Sequence, residues 1–390
     1  IELNTDNFDT DIWPATDVVP INTFNMQDAG WGTLSDQPID SGFTISQGNG
    51  NLLTIYIPDP NDTAIVVLHS SDWGVTWTET TNVPPNLNLT DRLNTDHIVY
   101  TNAGVVSLTN DEDGSVYFSP DHYATVPILT DLRDVHYKQD ALAASGNTVI
   151  AFVNGTGVGA IQGAYERSTD GGVTWVSNTT SASWNSSSGA WVRTIGTTWV
   201  KTGGSGIHDV WVSTDDALTW TSYPNVLRDT TNRLHTFQNL WIDDTYFYTK
   251  TSNNTFFRST DGITWTQQVV ERDTNGAGYA NFSPSGVSSK VVSGNGFFVE
   301  CDTRDSRIHI SKDGFNWHRH WYFSGGGQHL VEGGDIVAAG DGSVIIVHNS
   351  ARPYIEKVQI ASAAGELYVA PEETDTVASG NSVTEFVRIS

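Results

Sequence analysis

Along most of the chain, apolar residues come in short runs punctuated by Gly, Asn and Asp. Turn-forming clusters stand at Gly48-Asn49-Gly50, Asn102-Ala103-Gly104, Gly146-Asn147, Gly196-Thr197, Asp243-Asp244, Gly294-Asn295-Gly296 and Gly340-Asp341-Gly342. Each is followed by a run rich in β-branched and aromatic side chains. These runs are Leu52 to Ile57, Val105 to Leu108, Val149 to Val153, Trp199 to Lys201, Tyr246 to Lys250, Phe297 to Cys301 and Val344 to His348. Runs this short, bounded by residues that reach φ > 0 at little cost, predict strands joined by tight hairpins. Seven such turns predict seven small sheets.

A second periodic feature supports that count. The phrase Ser-x-Asp, a glycine-bearing turn, then Thr-Trp occurs at Ser70 to Trp77 and at Ser168 to Trp175. Ser213 to Trp220 loses the glycine, and Ser259 to Trp265 and Ser311 to Trp317 are one residue shorter. A degenerate copy, Ser119-Pro120-Asp121, ends in Thr125-Val126. Asp72, Asp121, Asp170, Asp215, Asp261 and Asp313 are thus spaced 45 to 52 residues apart. That period, filled with short strands, predicts an all-β fold: a single seven-bladed β-propeller of four-stranded antiparallel blades.

Each unit reads as inner strand A, a Gly/Asn turn, strand B, a loop, strand C, the Asp phrase as the C–D turn, and outer strand D. In one unit Leu234 to Ile242 is A, Thr245 to Lys250 is B, Thr255 to Arg258 is C and Trp265 to Val269 is D. The seventh unit has strands at Tyr354 to Ile360 and Leu367 to Val369, an outer turn at Ala363 to Glu366, and no Asp phrase. The expected organisation is an irregular N-terminal arm over 1–41, a propeller over 42–370 and a C-terminal tail over 371–390. Within that tail Val383 to Ile389 is apolar enough for a closing or partner-docking strand.

Charge narrows the partners. Against 19 basic residues stand 45 acidic ones, a net charge of −26. Such a surface repels phosphate backbones and anionic lipid, so no nucleic-acid partner is expected. No run approaches the ~18 apolar residues of a membrane span, so no membrane insertion is expected. The chain begins at Ile1 rather than Met, as a processed, trimmed or partial product does. Its one cysteine, Cys301, has no internal disulfide partner and reads as a small buried hydrophobe.

The Asp phrases resemble the Asp-box, or bacterial neuraminidase repeat, of sialidase-type β-propellers and several non-enzymatic propellers. The resemblance spans about residues 42 to 370 at the level of the repeat. It implies that these turns lie at the periphery, on the face away from any active site. Asp72, Asp121, Asp170, Asp215, Asp261 and Asp313 are therefore structural: each carboxylate is expected to accept hydrogen bonds from its own turn. Sialidases of this type bind the substrate carboxylate with three arginines, the first in a Phe-Arg-Ile-Pro phrase before the first Asp-box. Here no arginine precedes Arg92, and the nearest echo, Ala351-Arg352-Pro353, falls in the last unit. Those enzymes also have six blades, and both departures argue against sialidase activity.

In this topology the B–C and D–A connections emerge together on the face opposite the Asp phrases. Arginines recur in the D–A connections, at Arg92, Arg133, Arg228 and Arg272, with Arg193 and Arg319 near equivalent places. They either pair with neighbouring aspartates or converge on the carboxylates or sulfates of an acidic glycan. His136, Tyr137, His235, Trp241, Tyr279 and Trp321 are candidates to stack on sugar rings. A glycosidase would need two facing carboxylates, with Asp134, Asp229, Glu271, Asp302 and Asp305 as candidates.

No cofactor or metal is expected. His318-Arg319-His320, with His329 beyond, lacks a third ligand in register. Asn110 to Gly114 resembles a calcium loop, but Thr109 fills the first ligand position and no glutamate closes it. Gly325-Gly326-Gly327 lacks the following Lys-Ser/Thr of a phosphate cradle.

The sequence thus points to a binding or architectural propeller, extracellular or on a virion surface, that leans away from catalysis. It would recognise a glycan or cell-surface receptor, or form part of a tail fibre or surface assembly. Residues 1–41 and 371–390 would dock other subunits. The alternatives are a glycoside hydrolase using the D–A face and an assembly factor for a membrane complex, the latter by resemblance to Asp-box propellers of photosystem biogenesis.

Overall fold

A computed structural model describes residues 19–25, 41–57, 65–80, 82–84, 98–108, 115–130, 139–153, 164–179, 191–202, 208–237, 239–251, 255–268, 289–294, 296–302, 307–315, 317–321, 335–348 and 354–359. Among the described residues are seven four-stranded sheets. Blades 1 to 6 take their strands in chain order over 41–80, 98–130, 139–179, 192–223, 241–268 and 289–321. Neighbouring strands pair antiparallel, as in Leu52↔Ser70 and Val106↔Phe118. The first strands of successive blades touch one another around a closed ring, from Ser41–Ser46 through to Asp335–Ala338 and back. Strand A is therefore innermost and D outermost, as the repeat predicts.

Blade 7 corrects one expectation. Its A, B and C strands are Asp335–Ala338, Ser343–His348 and Tyr354–Gln359, and its D strand is Val19–Asn25. Part of the segment expected as an irregular arm therefore closes the ring, pairing Thr23 with Glu356 and Phe24 with Ile355. The ladder shifts register between Pro20 and Asn22. Proline lacks the N–H a ladder needs, so an outermost strand is where it is tolerated. Leu367 to Val369 and Val383 to Ile389, expected as strands, lie outside the described residues.

The core sits in the wedges between blades. Ile150, Phe152 and Tyr165 of blade 3 pack with Val192, Trp199 and Trp211 of blade 4. Val200 and Val212 of blade 4 pack with Phe247, Phe257 and Trp265 of blade 5. Tyr248 of blade 5 meets Phe298 and Trp317 of blade 6. Charged groups share these wedges. Lys250 and Glu300, in the B strands of blades 5 and 6, are both almost fully buried. Burial pushes the Lys250 ammonium down to about 7, and Glu300 opposes that shift.

The serine–aspartate turns form as the sequence predicts, and they do more than brace their own blades. In blade 3, Ser168 Oγ donates to Asp170 Oδ1 (2.8 Å), while Thr174 N–H and Thr174 Oγ1–H donate to the two carboxylate oxygens (2.9 and 2.5 Å). Gly172 N–H donates to Ser168 Oγ at 2.9 Å, and Trp175 Nε1–H donates to Gly172 O at 3.0 Å. Blades 1, 4, 5 and 6 repeat the serine–aspartate bond at 2.8, 2.8, 2.8 and 3.0 Å. Even the degenerate copy keeps it, at 3.2 Å, with Thr125 Oγ1 donating to Asp121 Oδ2 at 2.7 Å.

The residue in the glycine position of each turn leans on the preceding blade. Gly172 has φ +99°, and a Cβ there would lie 2.3 Å from Val106 Cγ2 of blade 2. In blade 4 the position is Ala217 and in blade 2 it is Tyr123, both fully buried in the wedge with the blade before. The copies that look degenerate fill the same space with larger side chains.

Candidate functional site

Innermost strands of all seven blades surround an axial cavity of about 640 Å³. Its walls include Tyr100, Ala144, Arg193, Ile242 and Val292. Gly48, Asp243, Asp244, Gly296 and Gly340, all in A–B turns, also line it. Those turns share a face with the serine–aspartate turns, since Gly171 N–H donates to Asn147 O and Asp216 N–H to Thr197 O. The polar groups in this cavity serve the fold. Thr194 Oγ1 donates to Gly196 O, Ser293 Oγ donates to Ile242 O, and Arg193 Nη1 donates to Val192 O at 2.7 Å.

Arg193 is thus in the A strand of blade 4, Val192–Ile195, and not in a D–A connection as expected. Arg319 and Trp321 also depart from expectation: both fall in the outermost strand of blade 6, opposite His309 and Arg307. Among the described residues no group of three metal-ligating side chains converges. Arg92, Arg133, Arg272, Tyr137 and Tyr279 lie outside the described residues, as do Asp134, Glu271, Asp305 and His329.

The D–A connection from blade 4 to blade 5, residues 224–240, is described except at position 238. The sequence predicts strand from Leu234, yet the ladder begins only at Trp241. The reason is Asp229. Its Oδ1 accepts N–H bonds from Thr231 and Arg233 and a hydroxyl bond from Thr231, at 2.9, 2.9 and 2.7 Å. Its Oδ2 lies 3.0 Å from His235 Nε2. A short carboxylate that captures local N–H groups competes directly with the sheet ladder. The His235 ring, then the Thr231 hydroxyl, outweigh desolvation, and with the Arg233 and Thr231 amides they hold the Asp229 carboxyl well below its usual range. With the carboxylate ionised, Nε2 is the protonated ring nitrogen of His235.

The resulting loop is a braced bulge. Asp229 N–H donates to Arg233 O at 3.1 Å, and His235 N–H returns to Leu227 O at 3.0 Å. Leu227, Phe237 and Leu240 anchor it in the wedge between blades 4 and 5. Thr230 N–H donates to Gln267 Oε1 of blade 5, and His208 Nδ1 meets His235 O. On this frame Arg228 and Arg233 are exposed. Arg228 Nη1 donates to Asn232 O and Oδ1 at 3.2 and 3.4 Å, which orients its guanidinium along the bulge.

Two expected sugar-stacking residues are corrected here. His235 is 4% exposed and Trp241 2% exposed. Trp241 packs edge-on to Phe256 and Trp317 and parallel to Tyr248, so its faces are used inside the wedge. Arg233 and His208, by contrast, are site residues the sequence reading missed. The signal was Asn232 and Asp229 flanking two threonines, a turn composition inside what was read as the approach to a strand. Elsewhere arginines stitch blades: Arg167 bridges to Asp216 across blades 3 and 4 at 3.3 Å, and Arg258 of blade 5 lies 5.9 Å over the Phe315 ring of blade 6.

No family model matches the sequence, and no curated protein matches it either. Solved structures do. That of YCF48 bound to a D1 peptide is 13% identical, with a TM-score of 0.53, covering 89% of this chain and 97% of that one. YCF48 from Cyanidioschyzon merolae is 11% identical, with a TM-score of 0.52, covering 87% and 99%. At that identity the likeness concerns the fold: this all-β chain of repeated four-stranded antiparallel sheets matches the seven-bladed propellers of the YCF48 type.

Proposed function

We propose that the protein is a non-catalytic recognition propeller that takes an acidic ligand, a carboxylated or sulfated glycan, on its D–A face. The setting we assign is extracellular or on a virion surface, as a free binder or as a subunit of a surface assembly. One observation carries this: exposed Arg228 and Arg233 are displayed on a bulge that Asp229 and buried His235 hold rigid. Holding a loop rigid costs conformational entropy, and here the frame presents donors shaped for carboxylate or sulfate. It does so in a chain of net charge −26, where a local cationic feature stands out against its surroundings. We also assign the serine–aspartate turns to the Asp-box class, on the serine, threonine and backbone bonds each carboxylate accepts.

The hydrolase alternative fares less well on the residues at hand. Asp229, the one candidate acid whose side chain is described, spends its oxygens on its own loop and on His235. A second reading, an assembly factor that binds a peptide on the same face, has one support: YCF48, similar in fold, is known in a structure with a D1 peptide.

Array binding with sulfated, carboxylated and neutral glycans separates these. The expected outcome is retention by acidic glycans only, weakened at least about tenfold in the double variant Arg228→Ala, Arg233→Ala, as loss of two charge-assisted contacts implies. Binding that the double variant leaves unchanged would discard the arginine bulge as the site. Binding to acidic peptides but to no glycan would favour the assembly-factor reading.

A further inference from the structure

The rim seam between blades 1 and 2 is built differently from the others. Its turn runs Ser119-Pro120-Asp121-His122-Tyr123, with a phenol where blades 1, 3 and 4 carry Gly74, Gly172 and Ala217, and an imidazole where they carry Trp73, Gly171 and Asp216. His122 and Tyr123 both sit at positive φ, 59° and 66°, a conformation costly for residues with a Cβ. Tyr123 is buried in the wedge. The His122 ring lies flat on His69 of blade 1, with centroids 4.0 Å apart and planes 10° from parallel. Tyr100 meets His122 at 5.6 Å. His69 Nε2 is buried without a hydrogen-bond partner among the described groups. Two hydrogen bonds cross the same seam: Thr80 Oγ1 donates to Tyr123 O at 2.8 Å, and Asn82 Nδ2 donates to Ala124 O at 2.7 Å.

We propose that the His69–His122 stack is an acid-sensitive latch, closed while both rings are neutral and opened by protonation, which frees the blade 2 turn from blade 1. The chemistry is direct. Protonating His69 at Nε2 places an N–H where no acceptor waits, and protonating both rings sets two like charges at stacking distance. The titratable groups facing the stack are few. Tyr100 and Tyr123 stay neutral, because burial pushes both phenols above their usual value. Asp121 favours a charged His122, but its oxygens already accept bonds from Ser119 and Thr125.

The sign follows from the closed-state values. Burial, with His122 acting in the same direction, lowers His69 from 6.5 to about 4, and burial also lowers His122. The opened seam binds protons more readily than the closed one. Closure is therefore fully favoured above about 6.5 and loses ground as pH falls toward about 4. Each proton taken up raises the opening constant by at most about tenfold per pH unit in that window.

The test uses the full chain with labelled histidines and hydrogen exchange at pH 7.5, 6 and 4.5. In the wild type, two of the eleven imidazoles should titrate below 6.5, that of His69 near 4. Corrected for the chemical rate, protection over 66–70 and 119–125 should fall on acidification, while that of the turn at 168–175 should not change. His69→Phe keeps a ring in the stack and removes one of the two proton sites, so its corrected seam protection should depend clearly less on pH than that of the wild type. Rings that titrate near 6.5, or a wild-type seam whose exchange follows that of 168–175, would overturn the latch even if the variant fails to fold.

Discussion

At the scale of single residues, the serine–aspartate turn joins neighbouring blades. Ser168→Ala removes the acceptor of the Gly172 and Asp170 amides and should cost about 1–3 kcal/mol in denaturant unfolding. Gly172→Ala should cost a similar amount for a different reason, the clash with Val106 at φ +99°. Asp216 shows how a copy without glycine survives. It takes φ +60° itself, and its carboxylate receives Thr148 Oγ1–H, Arg167 Nη2–H and Trp199 Nε1–H. Asp216→Ala should therefore destabilise by about 1–3 kcal/mol, whereas the same change at exposed Asp244 should not register. The turn carboxyls also fix an acid limit. Desolvation pushes Asp72, Asp121, Asp170 and Asp215 up, but threonine and serine hydroxyls and turn amides outweigh it and leave each below 3.8. Their contribution is complete above that value and lost as pH falls through the lower folded values, so melting temperature should drop steeply below about pH 4. These aspartates were legible in the sequence because their chemistry is local. The inter-blade contact of Gly172 was not, because Val106 lies 66 residues earlier.

At the scale of elements, strands were readable where a Gly/Asn turn fixed their start: Leu52–Ile57 and Val105–Leu108 fall where predicted. They were unreadable where a side chain outcompeted the ladder, as at Asp229, and where pairing joins the two ends of the chain. Val19–Asn25 gives little sign of its place, since its pairing with Tyr354–Gln359 joins residues 329 to 340 positions apart and only the partner's edge defines it. Deleting residues 1–25 leaves blade 7 with three strands and an unpaired outer edge at Tyr354–Gln359. The shortened chain should lose melting temperature and self-associate, as exposed edges do. A cooperative transition at the wild-type temperature, with a monomeric profile in sedimentation, would show that this strand is dispensable. Arg228 was legible as a D–A arginine. Its neighbour Arg233 was hidden by reading the segment as the approach to a strand.

At the scale of the whole molecule, charge makes two opposite salt effects. Net charge −26 repels itself in the compact state, so added salt should raise melting temperature by screening. The same salt should weaken an acidic ligand held by Arg228 and Arg233. Observing both signs in one buffer series distinguishes a built cationic site from general stickiness. The D–A face and the rim are also separated along the blade, which makes the site open to footprinting. The most direct measurement is hydrogen exchange of the full chain with and without a sulfated oligosaccharide. Protection confined to 226–237, absent in the Arg228→Ala, Arg233→Ala variant, is the predicted result. Protection at the turns around Asp72, Asp170 and Asp261, with 226–237 unchanged, would contradict it.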